Sequence, residues 1–136
     1  MLLQKKDRDY FWWPNFWCLF GGGIKNNEDP LETLIREIKE EAGLNLFDTK
    51  FFFLQQFSAV ARTGAKKEIL EKIGNLYYFS SKFDGNLENI KLKEGAGFGV
   101  FDVSELIEYD EFDLICPYNY EVIERFYKSL KNRTNF

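Results

Sequence analysis

Residues 22–44 read GGIKNNEDPLETLIREIKEEAGL and hold the strongest helix signal in a chain of 136 residues. Asp29 is of a type that caps a helix N-terminus, Pro30 suits the first helical position, and Gly43 suits the left-handed residue past the end. Between them Leu31, Leu34, Ile35, Ile38 and Ala42 fall at helical spacing and predict one apolar stripe. Each residue turns roughly 100°, so Glu37, Glu40 and Glu41 share an arc of about 100° on one flank of that stripe. Like charges so placed repel by about a few tenths of a kcal/mol per pair. Glu40 and Glu41 also sit in the last turn, where the helix dipole disfavours anions. A helix selected for stability alone would not be built this way. The residues leave two readings open. One is a solvated face laced by Glu32–Arg36 and Arg36–Glu40 pairs; the other is a set of oxygen ligands for a hard divalent cation.

Just upstream, Gly21-Gly22-Gly23 leaves backbone amides and carbonyls without side-chain cover, so a metal or a phosphate can approach the chain closely. It is no nucleotide P-loop, because the Gly-Lys-Ser/Thr ending is missing, as is GxGxxG. As one string the segment resembles the signature of the Nudix hydrolases. Gly22 is followed after five residues by Glu28 and after seven more by Arg36-Glu37. Ile38, any residue, Glu40-Glu41, any residue, Gly43 and Leu44 complete it. Seven fixed identities at set spacing would arise by chance in a given window on the order of once in ten million. Two positions depart from the usual pattern: Phe20 stands where Pro commonly precedes the glycines, and Lys25 fills a loop site that is often acidic.

The resemblance implies an α/β fold, the Nudix α/β/α sandwich with a mixed β-sheet, and hydrolysis of a nucleoside diphosphate linked to another group X. Carried over by position, Glu37, Glu40 and Glu41 become metal ligands or participants in water activation. The Gly21 carbonyl becomes a further ligand, Arg36 orients the glutamates by ion pairing, and Glu28 holds the loop-helix corner. The implied cofactor is Mg2+, with Mn2+ as a substitute. Such families often add an acid from a later loop, and Glu94, in KLKEGAGFGVF, is the candidate here. The family usually opens with a strand before the segment matching Leu2-Leu3-Gln4, and the expectation is a fold without it.

Elsewhere the chain alternates strand and helix signals. Leu2-Leu3-Gln4 reads as the tail of a strand, Trp17-Cys18-Leu19-Phe20 as a short apolar run closed by the breaker Gly21-Gly22-Gly23, Phe51 to Arg62 and Asn75 to Phe83 as strands, and Gly97 to Phe101 as another. A polar stretch, Thr63 to Gly74, is expected to join the two long strands. Ser104 is expected to cap a short helical turn, and Tyr118 to Leu130 carries Tyr120, Ile123, Phe126, Tyr127 and Leu130 at helical intervals. No linker or repeat divides the sequence, which predicts one domain over residues 1–136.

Composition removes other chemistries. With no histidine, the chain can run no Ser-His-Asp or Cys-His relay and builds none of the usual zinc sites. Cys18 and Cys116 form no CxxC motif and read as two core thiols in a reducing, cytoplasmic setting. A net charge of -4 argues against a nucleic acid polymer as partner, and no apolar run reaches the length of a membrane span.

The nucleotide's identity is written more faintly. Trp12, Trp13 and Phe16, with Tyr10, precede the glycines and suit stacking on a base, as Gly22 and Gly23 suit backbone contact with substrate; the same rings equally suit edge packing or a homodimer contact. Lys66, Lys67 and Lys72 read as an ordinary solvated helix face. FSAVAR carries neither the Pro typical of ADP-ribose hydrolases nor the Tyr typical of dinucleoside-polyphosphate hydrolases. By elimination a nucleoside triphosphate, oxidised or otherwise damaged, leads. Sugar nucleotides and a non-catalytic nucleotide-binding module are the alternatives.

Overall fold

The computed structural model describes residues 1–10, 13–63, 68–84, 87–93, 95–109 and 115–134. The backbone divides into two compact units, Phe20–Glu94 and a second made of Met1–Leu19 with Gly95–Phe136.

In the Phe20–Glu94 unit the helix α1 spans Pro30–Ala42, the range its sequence punctuation sets. Asp29 Oδ1 accepts from Glu32 N at 2.8 Å while Glu32 Oε2 accepts from Asp29 N at 3.2 Å. This reciprocal capping box satisfies two backbone donors that the helix leaves unpaired. At the other end Gly43 takes φ 70° and returns its N–H to the Lys39 carbonyl. Past a 3-10 turn at Leu87–Asn89, Lys91 N and Lys93 N donate to the carbonyls of Ala42 and Glu41. The last turn of α1 therefore finds partners from a segment far along the chain.

The apolar stripe does not define the buried face as expected. Ile38 and Ala42 are buried, but Leu31 is 36% and Ile35 46% exposed, and Thr33 and Glu41 are buried in their place. The buried arc is rotated toward the flank that carries Glu37 and Glu41.

Strands β3 (Asn45–Thr63) and β4 (Glu68–Asp84) form one long antiparallel hairpin, paired from Asn45↔Asp84 to Thr63↔Glu68. The expected connection from Thr63 to Gly74 is thus mostly strand, and only residues 64–67 join the two. Lys72 lies opposite Ala59 on β4, so the helix face expected around it is replaced by a ladder; Lys66 and Lys67 lie outside the described residues. Asp48, at φ 51°, sits where the register shifts between Phe47 and Lys50, a bulge that a short polar residue tolerates in the left-handed region. Much of the aromatic content is used across this ladder: Phe51 packs edge-on to Phe79 at 5.8 Å and Phe53 stacks on Tyr78 at 6.4 Å.

In the other unit β1 (Leu2–Lys5) is central, flanked by β2 (Trp17–Cys18) and β5 (Gly97–Val100), both antiparallel to it. Among the described residues the parallel pairing is the bridge Trp17↔Ile115. Helices α2 (Val103–Tyr109) and α3 (Pro117–Thr134) follow. Leu3, Leu106, Ile115 and Ile123, each at most 1% exposed, form the core of this unit. Gly99 leaves room beside Phe101 and Trp17, whose rings meet edge-on at 5.0 Å. The cap of α2 is Asp102 rather than Ser104: Asp102 Oδ1 accepts from Ser104 N at 2.8 Å and from the Ser104 hydroxyl. Those bonds hold the Asp102 carboxyl below its usual range. Asp can receive both donors at once, which one Ser hydroxyl at that position could not do as a charged acceptor.

Cys18 and Cys116 are both buried thiols, as expected of core positions. They are also neighbours, since a hydrogen bond with Cys116, reinforced by burial, pushes the Cys18 thiol up. Among the described residues no helix is long and apolar enough to cross a membrane.

Candidate active site

The capping box and the Gly43 stop fix the register of α1, and that register directs Arg36 and Glu37 toward the loop from Gly21 to Glu28. The Arg36 guanidinium makes one hydrogen bond with each of its five N–H groups. Nε donates to Glu28 Oε2 at 2.7 Å, and Nη2 donates to Glu28 Oε1 at 2.9 Å and to the Gly23 carbonyl at 3.3 Å. Nη1 donates to Glu37 Oε1 at 2.9 Å and to Glu40 Oε2 at 3.2 Å. Five donors are all that an arginine has. The two-point fork on Glu28 is the strong, geometry-selective form of this pair.

Glu28 also accepts from Lys25 N at 3.0 Å and from Thr33 Oγ1 at 3.5 Å, so it ties the loop to the first turns of α1. The hydrogen bond from Arg36, helped by the Lys25 amide, lowers its carboxyl to about 2. Arg36 is raised in turn, chiefly by the bond to Glu28. The side chains of Arg36, Glu28 and Glu37 are 21%, 18% and 16% exposed, against 55% for Glu40. Water therefore competes weakly for the first three, while Glu40 stays open to solvent. Glu32, spaced to pair with Arg36, instead turns back into the capping box.

Glu41, two positions past Lys39 in the last turn, is 8% exposed and its carbonyl accepts from Lys93 N at 3.0 Å. Glu37 and Gly22 are in contact: a Cβ built on Gly22 would meet both carboxylate oxygens of Glu37, at 2.5 and 2.6 Å. At Gly21 and Gly23 the same Cβ would meet nothing within 4 Å. In kind, these donors fit a hard divalent cation: three carboxylates on one helix beside a glycine loop with bare carbonyls. Among the described residues no three acids converge at ligating distance. Arg36 Nη1 instead lies between Glu37 and Glu40, bonded to both.

The remaining sequence candidates fall in the other unit or outside the described residues. Trp13 and Phe16 belong to the Met1–Leu19 segment of the other unit, where their rings meet edge-on at 5.6 Å and Trp13 holds φ 56°. In the same unit Asp7, Arg8, Asp9, Tyr10, Asn15 and Ala96 line an open hollow of about 600 Å³. Trp12 and Glu94 lie outside the described residues. Sequence reasoning gave Glu28 its corner but did not foresee Glu32 in the capping box, although Asp29-Pro30-Leu31-Glu32 carries that signature. It also missed the contact between Gly22 and Glu37, which no local pattern announces.

A glycine loop leading into a capped helix whose flank groups an arginine with glutamates is the arrangement that the sequence resemblance to the Nudix hydrolases implies. The family comparison agrees, since the NUDIX domain model matches residues 1–126. The chain belongs to the Nudix family, hydrolases that act on pyrophosphate bonds and generally use divalent cations on nucleotide-linked substrates. Two solved structures share its α/β fold. The E. coli ORF135 protein superposes with a TM-score of 0.65 at 18% identity, over 93% of this chain and 79% of its own. A MutT protein from Bacillus halodurans gives 0.61 at 22% identity, over 90% and 71%. No curated protein sequence matches the chain.

Proposed function

We propose that the chain works as a single Nudix domain, a Mg2+-dependent pyrophosphohydrolase that converts a nucleoside triphosphate, oxidised or otherwise damaged, to the monophosphate. The observation that carries this is the Arg36 cluster, in which one guanidinium gathers Glu28, Glu37, Glu40 and the Gly23 carbonyl into one site. A pure binding module would gain little from a trio of glutamates that repel one another on one flank.

In this reading Glu37, Glu40 and Glu41 hold the cation, with the Gly21 carbonyl as a further donor. Mg2+ supplies Lewis acidity toward water and phosphate oxygens and screens the phosphate charge. Water attacks a phosphorus, the bridging P–O bond breaks, and the products are a nucleoside monophosphate and pyrophosphate. One of the three carboxylates takes the proton from the attacking water. Arg36 spans Glu37 and Glu40 through one nitrogen, which offsets part of the repulsion between the two like charges. Glu94 is the proposed acid outside the box; its neighbour Lys93 is hydrogen-bonded to the Glu41 carbonyl. Trp12, Trp13 and Phe16 are proposed to hold the base, and Gly22 and Gly23 to meet the substrate through backbone atoms. A cytoplasmic location is proposed with it, in keeping with a nucleotide substrate and two buried thiols.

The test is a panel of nucleoside triphosphates, dinucleoside polyphosphates, ADP-ribose and sugar nucleotides, each incubated with Mg2+ and with chelator. Metal-dependent release of a monophosphate from a triphosphate is expected. Preferred turnover of ADP-ribose or a sugar nucleotide would overturn the substrate assignment and keep the reaction class.

A further inference from the structure

Of the three glycines before α1, the middle one alone faces an obstacle. A side chain at Gly21 or Gly23 would enter open space, whereas at Gly22 it would run into the Glu37 carboxylate. Backbone conformation does not explain the glycine, since Gly22 is not among the residues with positive φ. What excludes a side chain at position 22 is Glu37 itself.

The Glu37 carboxylate thus has two contacts that limit where it can lie. Arg36 Nη1 holds Oε1 at 2.9 Å, and the bare Cα of Gly22 lies against both oxygens. A glutamate has three rotatable side-chain bonds, so a single ion pair leaves its carboxylate several staggered positions. The Gly22 backbone packed against it closes off the positions that would enter that space. We propose that Gly22 is a positioning residue: it forms the seat on which Glu37 rests and so sets where that carboxylate can meet a divalent cation. This rests on the reading of Glu37 as a cation ligand, and it assigns Gly22 a role toward the metal beyond backbone contact with substrate.

The obstacle is the far end of a flexible side chain, so Gly22→Ala can be accommodated by moving the carboxylate while the backbone stays. The fold should survive and the seat should be lost. The experiment is Mn2+ titration followed by electron paramagnetic resonance on the full chain, for wild type, G22A, E37Q and the double variant, with thermal unfolding measured alongside. G22A is expected to weaken Mn2+ binding by about tenfold or more, the usual effect of losing a residue that orients a ligand. In the E37Q background the added G22A change should cost nothing further, because the seat acts only through Glu37. Wild-type affinity in G22A would overturn the inference and leave the cation reading standing. So would an equal loss in both backgrounds, which would trace the effect to the loop backbone, or a G22A chain that does not fold. A wild-type protein that binds no Mn2+ would defeat the cation reading itself, and the seat with it.

Discussion

Asp29→Ala removes the N-cap of the helix that carries Glu37, Glu40 and Glu41. Asp29 Oδ1 accepts from Glu32 N at 2.8 Å, and its backbone N–H is the donor that Glu32 Oε2 receives at 3.2 Å. Replacing a capping Asp by Ala costs about 1 kcal/mol. The lost negative charge at a helix N-terminus adds roughly 0.3–1 kcal/mol. The capping Glu32 is left without its reciprocal partner, so the sum is placed at about 1–2 kcal/mol. An unfolding entropy of roughly 2.1 cal/mol/K per residue over a chain of this length converts that into a Tm lower by about 3–7 °C. Differential scanning calorimetry of wild type, D29A and D29N reads it. D29N keeps an oxygen acceptor and gives up only the charge, so it should fall between the other two. A D29A Tm within about 1 °C of wild type, or a D29N loss as large as that of D29A, would refute the claim that this bond anchors the start of α1.

Other perturbations separate the site from its scaffold. Glu41→Gln should lower turnover at least about a hundredfold with the fold retained, as when a metal ligand fails; steady-state rates beside circular dichroism check it. The Glu28 carboxyl, held down to about 2 by Arg36, binds its proton less readily folded than unfolded, so its contribution rises with pH. The stability gap between wild type and Glu28→Gln should be full above about pH 4.5 and close as pH falls toward 2, as urea melts across that range would show. Ile123→Ala, at a core position with no exposure, should cost about 2–5 kcal/mol by urea denaturation.

The parts of the fold legible in the sequence are those whose causes are local. Asp29, Pro30 and Gly43 delimit α1 because capping and left-handed stops act within a turn of the residues involved. The hairpin was under-read because Thr63 to Gly74 is polar, and strand pairing there is decided by partners across the ladder, such as Lys72 opposite Ala59. Leu31 and Ile35 misdirected the buried face: hydrophobic spacing shows where an apolar stripe runs, and tertiary contacts then chose the neighbouring arc with Thr33 and Glu41. In the site, the glutamates and Arg36 were legible through their spacing, whereas the preference of Arg36 for Glu28 over Glu32 was not. Helical i,i+4 reasoning sees Glu32, but a loop returning to the helix offers Glu28 both oxygens at once. The meeting of Cys18 with Cys116 is likewise tertiary, brought about by the bridge between Trp17 and Ile115.

The glutamates of α1 are proposed to support cation-dependent cleavage of a nucleoside triphosphate. The most direct test is the initial rate of triphosphate hydrolysis as Mg2+ is titrated, with the products separated by ion exchange. The account predicts no turnover in chelator and a saturable rise with Mg2+ that releases nucleoside monophosphate and pyrophosphate in equal amounts. Turnover indifferent to chelator, or a folded protein that leaves every triphosphate intact at saturating Mg2+, would contradict it.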